Sequence, residues 1–228
     1  MAAKEKTAFF CKECGNESPK WFGKCPACGA WNTCVEETVV TGKDSKSVRK
    51  NIGSDLIQTL PVPIQDITNA KEQRIILPYE ELNRVLGGGL VLGSLTLVGG
   101  EPGIGKSTLV LTTLATMNAA GVKALYVSGE ESACQVKLRS ERLNVAGSDM
   151  LLLCETSLEK IIQQANEIKP QILVIDSIQT VYKGDLNGTP GSAAQLRECT
   201  LDLMVWAKNT GCITILIGHV TKDGQIAG

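Results

Sequence analysis

The stretch "SLTLVGGEPGIGKST", residues 94–108, decides the fold. It begins as a short apolar run, passes into glycines and ends where a helix would start. Gly100, four residues, then Gly105, Lys106 and Ser107 match the spacing G-x-x-x-x-G-K-[ST] in full. Gly100, Gly103 and Gly105 permit a backbone curl whose N–H groups converge on phosphate oxygens. The N-terminus of the following helix adds partial positive charge. Lys106 supplies a full charge beside the β and γ phosphates, and Ser107 a hydroxyl for Mg2+. The loop Gly100, Glu101, Pro102, Gly103, Ile104, Gly105, Lys106, Ser107 and Thr108 is therefore expected to hold ATP.

Outward from the loop the pattern alternates. "STLVLTTLATMNAAG" (107–121) predicts a helix closed by Gly121, and "KALYVSG" (123–129) a strand. "CQVKLRSERL" (134–143) reads as a helix and "MLLLC" (150–154) as a strand. "TSLEKIIQQANEIK" (156–169) predicts a helix opened by a capping box, with Thr156 as the cap and Glu159 as its partner. "QILVIDS" (171–177) and "CITILIG" (212–218) are two further strands, separated by a long helix at 192–211. Nearly continuous apolar strands between helices indicate an α/β core with a mostly parallel sheet, over residues 71–228.

The ends of those strands carry the chemistry. Asp176 closes "ILVID" and is the expected Mg2+ carboxylate beside a phosphate loop. Glu130 and Glu131 follow the strand "KALYVSG". Glu130 is the expected base for water, Glu131 the reserve, and a solvated loop charge is the alternative for either. His219, the single histidine, follows "CITILIG" and is placed to sense a γ-phosphate. Glu130, Lys106 and His219 form the candidate catalytic set.

Nine cysteines are many, yet five fall within residues 11–34. Cys11-x2-Cys14-x10-Cys25-x2-Cys28 has the spacing of two thiolate knuckles closing a tetrahedral Zn2+ site. Iron in a rubredoxin-like knuckle is the alternative. Cys34 is expected not to be a ligand. Trp21, Phe22 and Trp31 are expected to cover the knuckles; with Lys12, Lys20 and Lys24 they offer a nucleic-acid face instead. This small four-cysteine zinc-binding domain is expected over 1–34, with a polar linker over 35–70. The formal net charge of −1 gives no global attraction to nucleic acid, so a polyanion site must be local. The N-terminus lacks the apolar core of a secretory signal, and no apolar run has membrane-spanning length. Clustered cysteines of this kind fit a reducing compartment, and a cytoplasmic location is expected.

Together these stretches closely resemble the bacterial RadA/Sms family, RecA-related ATPases with an N-terminal four-cysteine zinc finger. The matching segments are Cys11–Asn32, "ELNRVLGGGLVLGSLTLVGGEPGIGKSTL" (81–109), "YVSGEES" (126–132), "LVIDSIQT" (173–180) and "GHVTKDGQIAG" (218–228). The resemblance implies a RecA-like P-loop NTPase core and a DNA-dependent ATPase of homologous recombination and repair. It further implies ring assembly, action on single-stranded and branched DNA, and work beside the recombinase RecA. By position, Lys106, Ser107 and Asp176 look like the family's nucleotide and Mg2+ residues, Glu130 its catalytic glutamate, and His219 its γ-phosphate sensor. "VTKDGQIAG", with Lys222, would be one DNA loop, and residues 181–198, with Lys183 and Arg197, the other. The family pattern continues past Gly228, so the chain is expected to be C-terminally truncated. Two alternatives stay open: a nucleotide-, zinc- and DNA-binding module without motor activity, and a RecA-like core that uses ATP for signalling.

Overall fold

Five apolar runs become adjacent strands, and the three central ones, at 124–128, 172–176 and 213–219, are buried on both faces, which only a sheet covered by helices on both sides permits. The computed structural model describes residues 4–11, 16–27, 29–41, 73–145, 149–186 and 188–219. The chain divides into two units, Met1–Lys71 and Glu72–Gly228.

In the first unit, β1 (Lys4–Cys11) pairs antiparallel with β2 (Glu17–Ser18) and β3 (Cys34–Thr41). Residue 34, where the pattern predicts the metal-binding segment to end, is the first residue of β3. The β-branched run Thr38, Val39, Val40, Thr41 carries the pairing on, opposite Thr7 to Lys4. Charged neighbours disguise this strand as linker.

The second unit opens with a two-residue pairing of β4 (Arg74–Ile75) and β5 (Leu90–Val91), which bracket α1 (Glu80–Val85). There follow β6 (Leu95–Gly100), α2 (Lys106–Ala119), β7 (Ala124–Ser128), α3 (Ala133–Arg142), β8 (Leu151–Cys154) and α4 (Leu158–Ile168). β9 (Ile172–Asp176), a 3-10 turn (Ile178–Thr180), α5 (Ala193–Thr210) and β10 (Ile213–His219) complete the described chain. The main sheet runs β6-β10-β9-β7-β8, all parallel. This is the expected α/β architecture.

Alternation along β9 shows how both faces are used. Ile172 and Val174 pack with Leu111, Leu114 and Met117 of α2 and with Tyr126. Leu173 and Ile175 pack with Leu158 and Ile161 of α4 and Leu203 of α5. Each such fully buried aliphatic side chain contributes roughly 1.5–3 kcal/mol of transfer free energy.

The predicted helix boundaries hold with one correction. Gly211 caps α5 at φ +73, and Gly121 follows the α2 cap at φ +91. At α4, however, the N-cap is Ser157 and not Thr156. The Glu155 carboxylate accepts from the Thr156 and Ser157 N–H groups at 2.9 and 3.0 Å, and the Ser157 hydroxyl donates to Glu159. A nearer carboxylate thus takes the Thr156 N–H that Glu159 would accept in the predicted capping box. A complete capping box occurs at α3 instead, between Ser132 and Gln135.

Candidate nucleotide site and metal centre

The parallel register alone collects the candidate residues. Gly100 lies opposite His219, Ile217 opposite Asp176, and Ser128 opposite Asp176. The C-terminal ends of β6, β10, β9 and β7 therefore form one row, the edge at which open α/β sheets bind ligands.

In the phosphate loop, Gly103 and Gly105 take φ values of +81 and +100. An added Cβ at either would meet nothing within 4 Å, so glycine is needed for the backbone turn and open space lies before it. Gly100 differs: its Cβ would crowd Ile104 and the Lys106 stem at 3.2 and 3.3 Å. Lys106, 7% exposed, donates to the carbonyls of Gly100 and Glu101 at 2.8 and 2.9 Å. Its ammonium also lies 3.3 Å from His219 Nδ1. A lysine can only donate, so Nδ1 accepts, and the Nε2 hydrogen faces Glu130 Oε1 at 3.2 Å. The same Glu130 oxygen accepts from the Ser177 hydroxyl at 2.5 Å. Lys106, His219, Glu130 and Ser177 thus form one connected chain. An open glycine cradle, a buried ammonium at its rim and a carboxylate on the same sheet edge fit a nucleotide phosphate with Mg2+, which Ser107 and Asp176 would hold.

Gly129 explains how Glu130 reaches Ser177. A Cβ there would sit 1.9 Å from Thr180 Oγ1, so only glycine lets the loop after β7 press against the turn after β9. Its N–H donates to the Asp176 carbonyl at 2.8 Å. Glu131, the reserve base, is engaged elsewhere, 3.0 Å from Arg139. Asp176, 8% exposed, accepts from the Tyr126 hydroxyl, which Arg139 Nη2 approaches at 3.1 Å. Burial, then the Asp176 charge and hydrogen bond, push the Tyr126 phenol far above its ordinary range. Ser177, Gly129, Tyr126 and Arg139 escape the sequence reading. Tyr126, a hydroxyl inside an apolar strand, is the one with a visible signal.

The two expected DNA segments fare differently. Residues 220–228, with Lys222, lie outside the described residues. In the other, the Lys183 ammonium pairs with Asp202 at 2.8 Å with the side chain 14% exposed. Buried Gln195 accepts from Lys183 N–H and donates to the Leu186 carbonyl, pinning this loop. Arg197 is exposed on α5.

In the first unit Cys11 and Cys25 are buried, while Cys14 and Cys28 lie outside the described residues. No group of three metal-ligating side chains occurs among the described residues, as expected when half the predicted set falls outside them. The backbone around the two described cysteines turns tightly, with Cys11 N–H bonded to Asn16 and Gly29 N–H to Cys25 at φ +76. Two buried thiols in tight turns fit a thiolate metal site. Trp21 and Trp31 are 65% and 69% exposed, contrary to the expectation that they cover the knuckles. The Lys24 ammonium stands 5.6 Å over the Trp31 ring.

Comparison with known proteins places these features. An AAA domain family model matches residues 62–225, and a rubredoxin metal binding domain model matches residues 9–36. The chain is 49% identical over 228 residues to DNA repair protein RadA of Bacillus subtilis (strain 168), covering 99% of this chain and 49% of that protein. It is 51% identical over 226 residues to DNA repair protein RadA of Halalkalibacterium halodurans, covering 99% and 49%. The chain spans about half the length of the curated relatives it matches. A KaiC-like protein from Pyrococcus horikoshii OT3 superposes with a TM-score of 0.51 at 21% identity, over 65% of this chain and 73% of that one. The structural likeness shows the shared fold.

Proposed function

The chain belongs to the RadA family, within the wider AAA domain family, and from that premise we propose that it is a DNA-dependent ATPase of homologous recombination and repair. Its substrates are ATP and recombination intermediates, which it processes or branch-migrates. Single-stranded and branched DNA, a RecA recombinase and further copies of the chain in a ring are its proposed partners. The cytoplasm is its proposed location; no described helix is long and apolar enough to cross a membrane.

One observation carries the reading: the chain Lys106–His219–Glu130 at the strand ends beside an open phosphate cradle. Lys106, held on loop carbonyls, turns to the β and γ phosphates when they arrive. His219 contacts both Lys106 and Glu130, so loss of the lysine contact changes the setting of the base. Glu130, oriented by Ser177, accepts the proton of the attacking water. Bound Mg2+ neutralises phosphate charge, with Ser107 and Asp176 as its protein partners. Cys11, Cys14, Cys25 and Cys28 would hold Zn2+ and fix the small unit around it.

A second reading, binding without turnover, is supported by β6, which among the described strands pairs only with β10 and leaves Leu97 43% exposed. Steady-state ATP turnover with and without single-stranded DNA separates the two. The motor reading expects stimulation by DNA, abolition by Lys106→Ala, and at least about a hundredfold loss in Glu130→Gln with nucleotide binding retained. Equal turnover with and without DNA would remove its main support. Tight nucleotide binding with no turnover under either condition favours the second reading.

A further inference from the structure

The hydroxyl of Tyr126 stands out in the strand "ALYVS", where phenylalanine would fill the same space. Residues 124–127 are almost wholly buried, Tyr126 completely. A buried hydroxyl is unfavourable unless its hydrogen bonds are made. This one has two partners. Its oxygen accepts from Arg139 Nη2 at 3.1 Å, since a guanidinium cannot accept, and its proton therefore goes to Asp176 Oδ2. Tyr126 pairs with Val174 and Ser128 with Asp176, so the tyrosine reaches the carboxylate diagonally across one sheet face. Arg139 also pairs with Glu131 at 3.0 Å and lies 3.9 Å from Asp176 Oδ2. Glu131 is the chain neighbour of Glu130.

We propose that Tyr126 and Arg139 are positioning residues for the carboxylate of Asp176, tying it to the loop that carries Glu130. The inference rests on the reading of Asp176 as a Mg2+ partner. A carboxylate with one oxygen held by a fixed donor keeps its other oxygen in a set direction. Without that donor it rotates, and the metal must order it on binding. Such outer partners typically change metal affinity by about tenfold or more. The same connection makes the separation of Asp176 and the Glu130 loop a property of the fold, transmitted through one guanidinium.

The test measures affinity for a fluorescent methylanthraniloyl ADP in EDTA and in Mg2+, for the whole chain and its variants. The ratio of the two affinities reports the metal's contribution without requiring turnover. Tyr126→Phe is expected to lower that ratio about tenfold while leaving the affinity in EDTA unchanged. Arg139→Gln, which keeps the tyrosine, is expected to lower it by less. An unchanged ratio in both variants overturns the proposal. Equal losses in EDTA and in Mg2+ also overturn it, because they mark a general disturbance of the pocket. A wild-type affinity indifferent to Mg2+ removes the metal role of Asp176 and this inference with it. A normal wild-type ratio with indifferent variants removes the inference alone. If Tyr126→Phe does not fold, as judged by circular dichroism, Arg139→Gln decides.

Discussion

Between Glu72 and Gly228 the central sheet buries Leu173, Ile175, Val174 and their neighbours under helices on both faces. Between Met1 and Lys71, the buried hydrophobic residues among those described are Cys11 and Cys25. The first arrangement draws its stability from apolar area removed from water. The second has a three-stranded antiparallel sheet and, among its described residues, few buried apolar side chains, which is the condition in which small domains depend on a metal. The difference teaches where each unit is vulnerable, and each prediction below attacks one side while leaving the other as its control.

The largest effect is expected from the metal. Structural zinc sites contribute on the order of 10 kcal/mol to the fold they close. Cys25→Ser should reduce bound zinc from one ion per chain to none and unfold the small unit. Fluorescence of the exposed Trp21 and Trp31 should change accordingly. The thermal transition of the larger unit should not move. Full metal content in the variant would discard the four-cysteine assignment, and a shared shift of both units would break the contrast itself.

The converse attack is a core truncation. Leu203 on α5 is fully buried against β9 and α4. Leu203→Ala should cost the larger unit about 2–5 kcal/mol, read as a lower midpoint in urea, with zinc content unchanged. A smaller effect is expected at Gly129, where an alanine Cβ must displace Thr180 Oγ1 from 1.9 Å. Gly129→Ala should cost about 1–3 kcal/mol. Because the same contact sets Glu130 against Ser177, ATP turnover should fall well beyond any loss in nucleotide affinity. Equal losses in both would mean that the loop shapes the pocket and does not orient the base.

What the sequence discloses follows from the reach of its signals. Asp176 and His219 stand out because each is a polar residue at the end of an apolar run, and parallel register collects such ends on one edge, whereas Gly100 and Lys106 stand out through the spacing of the phosphate loop and Glu130 through its place just past a strand end. Tyr126 shows only a hydroxyl inside an apolar strand, and that signal is easily passed over because an aromatic there reads as core, which it also is. Arg139 is hidden because a charge on a short helix reads as a solvated face. The pairing of Lys183 is unreadable for a related reason: its partner Asp202 lies on the following helix, α5, and only the fold brings them to 2.8 Å. Local chemistry is readable residue by residue, and pairing between distant segments is not. The end of the small unit shows the same limit, since β3 is a strand only by virtue of β1 beside it.

The smallest expected effect tests the control side with charge. Glu155 accepts two backbone N–H bonds at the start of α4, and these hold its carboxyl below the ordinary value. A depressed folded-state value means stability that is present above the unfolded value, near about 4.3, and lost as pH falls through the folded one. The nearby Lys160 is 68% exposed, so its 3.1 Å pairing with Glu155 adds little. Glu155→Gln should therefore cost less than about 1 kcal/mol at neutral pH, in the range of a lost helix cap. Urea midpoints of the two proteins should converge in acid, once the wild-type carboxylate is protonated. A difference that persists undiminished at low pH would mean that the side chain acts through packing and not through its charge. Zinc release, which protonates thiolates, also occurs in acid. The comparison is therefore cleanest in Cys25→Ser backgrounds, where the small unit adds no acid transition of its own and the difference between the two proteins isolates the Glu155 carboxylate.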